Sequence, residues 1–78
     1  MSGWQQQNNC FYKNFKFNNF NQAIEFVNRV AQIAQELNHH PEILVHDYNQ
    51  VKITTTTHDQ GNKITDKDKT LVNKIKAL

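Results

Sequence analysis

Between Cys10 and Phe17 the chain reads CFYKNFKF, with Phe11, Phe15 and Phe17 on one side of a period-two pattern and Asn14 and Lys16 on the other. A strand with one buried face shows this alternation, because successive side chains point to opposite sides of a sheet. The period then changes. In NFNQAIEFVNRVAQIAQELN, residues 19–38, Phe20, Ala23, Ile24, Val27, Val30, Ala31, Ala34 and Leu37 recur three and four positions apart, which predicts an amphipathic helix. Asn19 is placed to cap its start, with Gln22 at the reciprocal capping position. Asn38 suits a left-handed exit, and Pro41, the only proline, prevents continuation. Phe26 and Ile33 widen the apolar arc to roughly half the circumference, more than a surface helix needs. The surplus face is expected to meet another subunit, with deeper burial inside one small core as the competing explanation.

After the proline, ILVH and VKITTTT are β-rich runs separated by the polar turn DYNQ, which predicts an antiparallel hairpin. Val51, Ile53, Thr55 and Thr57 share one face of its second strand, and Lys52, Thr54, Thr56 and His58 share the other. HDQGNK is a loop around Gly61. Thr65 and Asp68 then form a capping box ahead of Leu71, Val72, Ile75 and Leu78, so a second helix closes the chain. With a short strand near Trp4 pairing with the Phe11 strand, the order is β-β-α-β-β-α. The simplest arrangement is an α+β fold, a small antiparallel sheet of about four strands with both helices on one face.

Length and composition narrow the classes. Seventy-eight residues make one domain near the lower limit for a single unaided core, and such cores are often completed by association. Cys10 is the only cysteine, which removes disulfides and fits a reducing compartment, with the cytosol as the expectation. The net charge is +2, from nine Lys and Arg against seven Asp and Glu, and the charges are interleaved, so direct nucleic-acid binding is not expected. No apolar run is long enough to cross a bilayer. QQQNN near the start reads as biased composition.

The titratable chemistry is histidine. Ser2 is the only serine and Gly3 and Gly61 are the only glycines, so neither a serine triad nor a phosphate loop has support. His39 and His40 stand together at the exit of the long helix, where the last carbonyls favour a protonated ring. Pro41 restricts His40 to extended backbone, so the two rings are aimed apart. His58 falls where the hairpin's second strand enters the Gly61 loop, and His46 reads as an exposed strand-end residue. Adjacent histidines seldom bind one ion and the spacing matches no common metal signature, so no metal is expected. Asp68 is explained by helix capping, and Trp4 by core packing or a tether for the N-terminus.

FKFNNFNQAIEFVNRVA, LNHHPE, YNQVKITTTTHD and ITDKD, taken in order, resemble the pterin-4a-carbinolamine dehydratases, some of whose members act as dimerisation cofactors of a homeodomain transcription factor. The matching positions are His39, His40, Pro41, Tyr48, His58 and Asp68. Gln35, Asn38 and Ile43 depart from the family pattern, and a domain lacking the extra N-terminal helix of many members is expected. The resemblance implies dehydration of 4a-hydroxytetrahydrobiopterin to quinonoid dihydrobiopterin, the recycling step after aromatic hydroxylation, with no cofactor. It implies His39 and His58 as acid and base, His40 as a residue that binds and orients the ring, and Trp4, Thr56, Thr57 and Asp59 as pterin contacts. Pro41 and Asp68 are structural. A cytosolic or also nuclear homo-oligomer, assembled through the helix bearing Phe26 and Ile33, is expected. The alternative is a non-catalytic dimerisation or transcriptional cofactor.

Overall fold

The computed structural model describes residues 3–57, 61 and 63–78. Its elements follow the predicted order: β1 Gln5–Gln7, β2 Cys10–Lys16, α1 Phe20–Leu37, β3 Glu42–His46, β4 Gln50–Thr55 and α2 Asp66–Lys76. The four strands form one antiparallel sheet in the order β1-β2-β4-β3. Phe11 on β2 and Val51 and Ile53 on β4 join Ala23, Val30 and Ala34 of α1 and Leu71, Val72 and Ile75 of α2 in a single core. Both helices therefore cover the same face. The opposite face is polar, with Leu44 half exposed on it.

The turns explain the register. Gln7 pairs with Cys10 across Asn8 and Asn9, both at positive φ (54° and 76°), the two-residue geometry whose twist matches paired strands. Asparagine tolerates that conformation better than most residues. The polar run QQQNN is thus an edge strand and its turn, a structural signal within the biased composition. In the second hairpin Asp47 and Tyr48 take positive φ (50° and 53°), and buried Asn49 locks the turn to the end of β2. Its side chain donates to the Phe17 carbonyl at 2.9 Å, and the Phe17 amide donates to its carbonyl at 2.8 Å. His46 lies on the polar face, with Asp47 at 2.8 Å from one ring nitrogen and Asn14 at 2.6 Å from the other.

One expectation about assembly is revised. Phe26 packs on Phe15 and Phe17 with ring centroids 4.6 and 5.0 Å apart, and Ile33 also packs against the core. The wide apolar arc on that side is largely used inside the subunit. Phe15 and Phe17, from β2 and its end, fill that flank and leave Phe26 half buried. The apolar side chains that α1 leaves uncovered are Phe20, which is 51% exposed, and Ala31, with Ile24 half buried between them outside the core cluster.

Candidate active site

The end of α1 fixes the histidine turn. Asn38 adopts the left-handed conformation (φ 52°, ψ 41°), and its amide bonds back to Gln35 at 3.2 Å while the His39 amide bonds to Ala34 at 3.0 Å. These two reverse bonds are the Schellman closure of a helix, and they satisfy carbonyls that would otherwise lack partners. His39 thereby becomes the first residue held outside the helix, and its side chain turns inward to only 8% exposure. His40 points out and contacts Gln35 Oε1 at 3.1 Å. Pro41 follows and β3 begins at once. The neighbouring rings do face apart.

Inside, the His39 Nε2 lies 2.7 Å from Asp68 Oδ1. Asp68 has no exposed surface and is crowded with donors. Thr55 donates to Oδ1 at 2.6 Å, Thr57 donates to Oδ2 at 2.7 Å, and the Thr65 amide donates to Oδ2 at 3.0 Å. Burial alone pushes this carboxyl up. The hydrogen bonds from Thr55, His39, the Thr65 amide and Thr57 outweigh it and hold Asp68 below its ordinary 3.8. An ionised carboxylate only accepts, so Nε2 carries the proton toward it. The ring nitrogen left for other chemistry is Nδ1. Among the described residues His39 also lines a small pocket of ≈ 230 Å³, together with Leu37, Asp66, Lys67 and Thr70.

Asp68 therefore does more than cap α2. The capping box is present, with Thr65 and Asp68 satisfying each other's backbone amides. The same carboxylate joins β4, α1 and α2 through His39, Thr55 and Thr57. Thr55 was not among the expected site residues. Its signal was available, since Thr55 and Thr57 continue the apolar face of Val51 and Ile53, and a hydroxyl buried on such a face needs a partner.

The other expected residues are distributed differently. Thr57 is fully buried and its hydroxyl serves Asp68 and Thr65, while the Thr56 hydroxyl donates to the Asn9 carbonyl at 2.7 Å and stays outside the cluster. Trp4 is buried against Phe15, edge to face at 5.9 Å, and lines a groove at the C-terminal end of α2, apart from the histidine turn. His58 and Asp59 lie outside the described residues. The backbone on either side of them is closed by a bridge between Thr57 and Lys63. Among the described residues no group of three His, Cys, Asp or Glu side chains is arranged to hold a metal, and no helix is long and apolar enough to cross a membrane.

The sequence profile of the pterin 4 alpha carbinolamine dehydratase family matches residues 1–78. The chain belongs to this family. A protein of Sulfurisphaera tokodaii with the provisional name pterin-4-alpha-carbinolamine dehydratase is 44% identical over 78 residues, covering 100% of this chain and 82% of its own. One of Sulfolobus acidocaldarius with the same provisional name is 41% identical over 78 residues, covering 100% and 84%. The crystal structure of a transcriptional coactivator/pterin dehydratase from Brucella melitensis superposes with a TM-score of 0.89 at 35% identity, over 97% of this chain and 81% of that one. A pterin dehydratase-like RuBisCO assembly factor of the alpha-carboxysome shares the fold, with a TM-score of 0.76 at 20% identity, over 96% and 87%.

The charge state of Asp68 gives an acid signature. Its folded carboxyl titrates below 3.8, so between the folded value and 3.8 the unfolded chain binds more protons. The stabilisation is complete above that window and is lost as pH falls through it. Urea unfolding at a series of acidic pH values is expected to show a steeper loss for wild type than for Asp68→Asn. Parallel curves would mean that Asp68 contributes nothing to the slope.

Proposed function

We propose that the chain is a dehydratase acting on 4a-hydroxytetrahydropterins, with His39 as an acid/base group oriented by Asp68. The observation that carries this is the buried 2.7 Å contact between His39 Nε2 and a carboxylate held ionised by three further donors. In the reaction the C4a–O bond breaks as the hydroxyl is protonated, N5 loses its proton, and the C4a–N5 double bond forms with release of water. One group must give a proton and one must take a proton. His39 exchanges a proton at Nδ1, because Nε2 is committed to Asp68. The second exchange is assigned to His58 from its place in the family pattern. His40, exposed beside Gln35, binds and orients the ring, and Asp59 is a pterin contact on the same sequence grounds. Thr57 acts through Asp68, to which its hydroxyl donates, while Trp4 and Thr56, expected from the family pattern as pterin contacts, lie apart from the His39 cluster and are given no role in the step.

The test is the dehydration rate as a function of substrate concentration. Wild type is expected to exceed the uncatalysed rate, and His40→Ala to raise KM with kcat little changed. A His40→Ala enzyme that loses kcat at unchanged KM would remove the binding role.

The protein also self-associates in this proposal, through the stripe of Phe20, Ile24 and Ala31 on α1. Apolar side chains aligned on one helix, with the large Phe20 exposed, suit a contact between subunits. Phe20→Asp is expected to lower the oligomeric state in sedimentation while the circular dichroism spectrum is kept. An unchanged sedimentation coefficient would exclude that stripe from the interface. A partner-binding cofactor role would use the same stripe, and it is favoured if wild type sediments as a monomer and does not accelerate dehydration.

A further inference from the structure

At the C-terminal end of α2 a groove of ≈ 680 Å³ opens between that helix, α1 and β2. Its volume lies within the usual range for small-molecule sites, and it shares no lining residue with the pocket beside His39. The floor is aromatic, built from Trp4, Phe15 and Phe26 in edge and tilted contacts. The rim carries Lys13, Arg29 and Lys76, with Glu25 as its one acidic side chain and the terminal residue Leu78 beside them.

Among the described residues none of the three cations has a carboxylate oxygen within 4.0 Å. Lys13 instead extends over the Phe15 ring, with Nζ 4.9 Å from the centroid. Trp4 is held firmly in the floor. The indole Nε1 of Trp4, in a residue only 7% exposed, is the buried side-chain polar atom left without a partner among the described residues.

Donors of one sign around an aromatic floor define their complement. We infer that this groove is a second binding site, separate from the histidine site, for a small aromatic anion: a flat apolar body carrying a carboxylate, sulfonate or similar group. The rings take the apolar body by stacking and edge contacts, and Arg29 and Lys76 take the charge. A neutral aromatic compound forfeits the rim, and an inorganic anion forfeits the floor.

Trp4 is the only tryptophan, so its fluorescence reports on the groove directly. Titration with anilinonaphthalene sulfonate is expected to saturate at one dye per chain, with energy transfer from Trp4. Arg29→Glu combined with Lys76→Glu is expected to weaken Kd at least about tenfold while circular dichroism stays that of wild type. His40→Ala is expected to leave the dye affinity as it was, and indoleacetate to displace the dye where neutral indole at equal concentration does not. Binding that fails to saturate, survives both charge reversals, follows His40, or yields equally to neutral indole overturns the inference. So does dye release on raising the protein concentration, which would mean that a second copy of the chain fills the groove.

Discussion

Asp68→Ala is expected to cost about 3–5 kcal/mol of folding free energy, because it breaks a buried charged contact and strands the groups around it. Four donors converge on the carboxylate from three elements: the His39 ring after α1, Thr55 and Thr57 on and just past β4, and the Thr65 amide at the start of α2. Each buried hydroxyl or ring N–H left without an acceptor costs about 1–3 kcal/mol, and loss of the helix cap contributes about 1 kcal/mol more. Relaxation and water entry reduce the sum. A domain of this length has a total stability on the order of 4–12 kcal/mol, so the alanine variant should be partly unfolded under mild conditions. Asp68→Asn keeps the shape and one acceptor and should lose less. Urea titration followed by circular dichroism measures both, and a loss below about 1 kcal/mol for the alanine variant would show that the cluster does not hold the three elements together.

The second large effect is on turnover. His39→Ala is expected to lower kcat by about 10²–10⁴-fold, the usual worth of a positioned acid/base group, while the fold persists. The fold should survive because Asp68 keeps three of its donors and the Schellman bonds that shape the turn are made by backbone. A loss of about 1–3 kcal/mol in stability is expected from the missing ring contact. Free imidazole added to the variant should restore part of the rate, an outcome that a purely structural histidine would not give. Retention of wild-type kcat in a folded His39→Ala sample would remove His39 from the chemistry.

Much of the fold was legible because its signals are local. The caps at Asn19, Asn38 and Thr65, the helical spacing from Phe20 to Leu37 and the alternation from Val51 to Thr57 each specify an element within a few residues. The Asn8–Asn9 turn carried a local signal too, hidden by the similar polar residues around it. What could not be read depends on contacts made at long range. Asp68 is fully accounted for by its own helix cap, and nothing nearby in sequence shows that His39, 29 positions away, shares the carboxylate. The width of the apolar arc on α1 is visible, but whether Phe26 meets another subunit or the Phe15 and Phe17 rings is decided only when β2 docks. Trp4 shows the same limit: its place beside Phe15 and the end of α2, apart from the histidine turn, follows from how the sheet edge packs.

The most direct test is a double-mutant cycle on single-turnover formation of quinonoid dihydropterin from freshly generated 4a-hydroxytetrahydropterin. Wild type, His39→Ala, Asp68→Asn and the double variant are compared with the uncatalysed reaction under conditions where all four are folded. If Asp68 acts through His39, wild type accelerates the step, each single variant is slower, and the double variant is no slower than His39→Ala alone. A wild-type rate equal to the uncatalysed one, or losses in the two variants that simply multiply in the double, would contradict an imidazole oriented by Asp68 as the working group of this site.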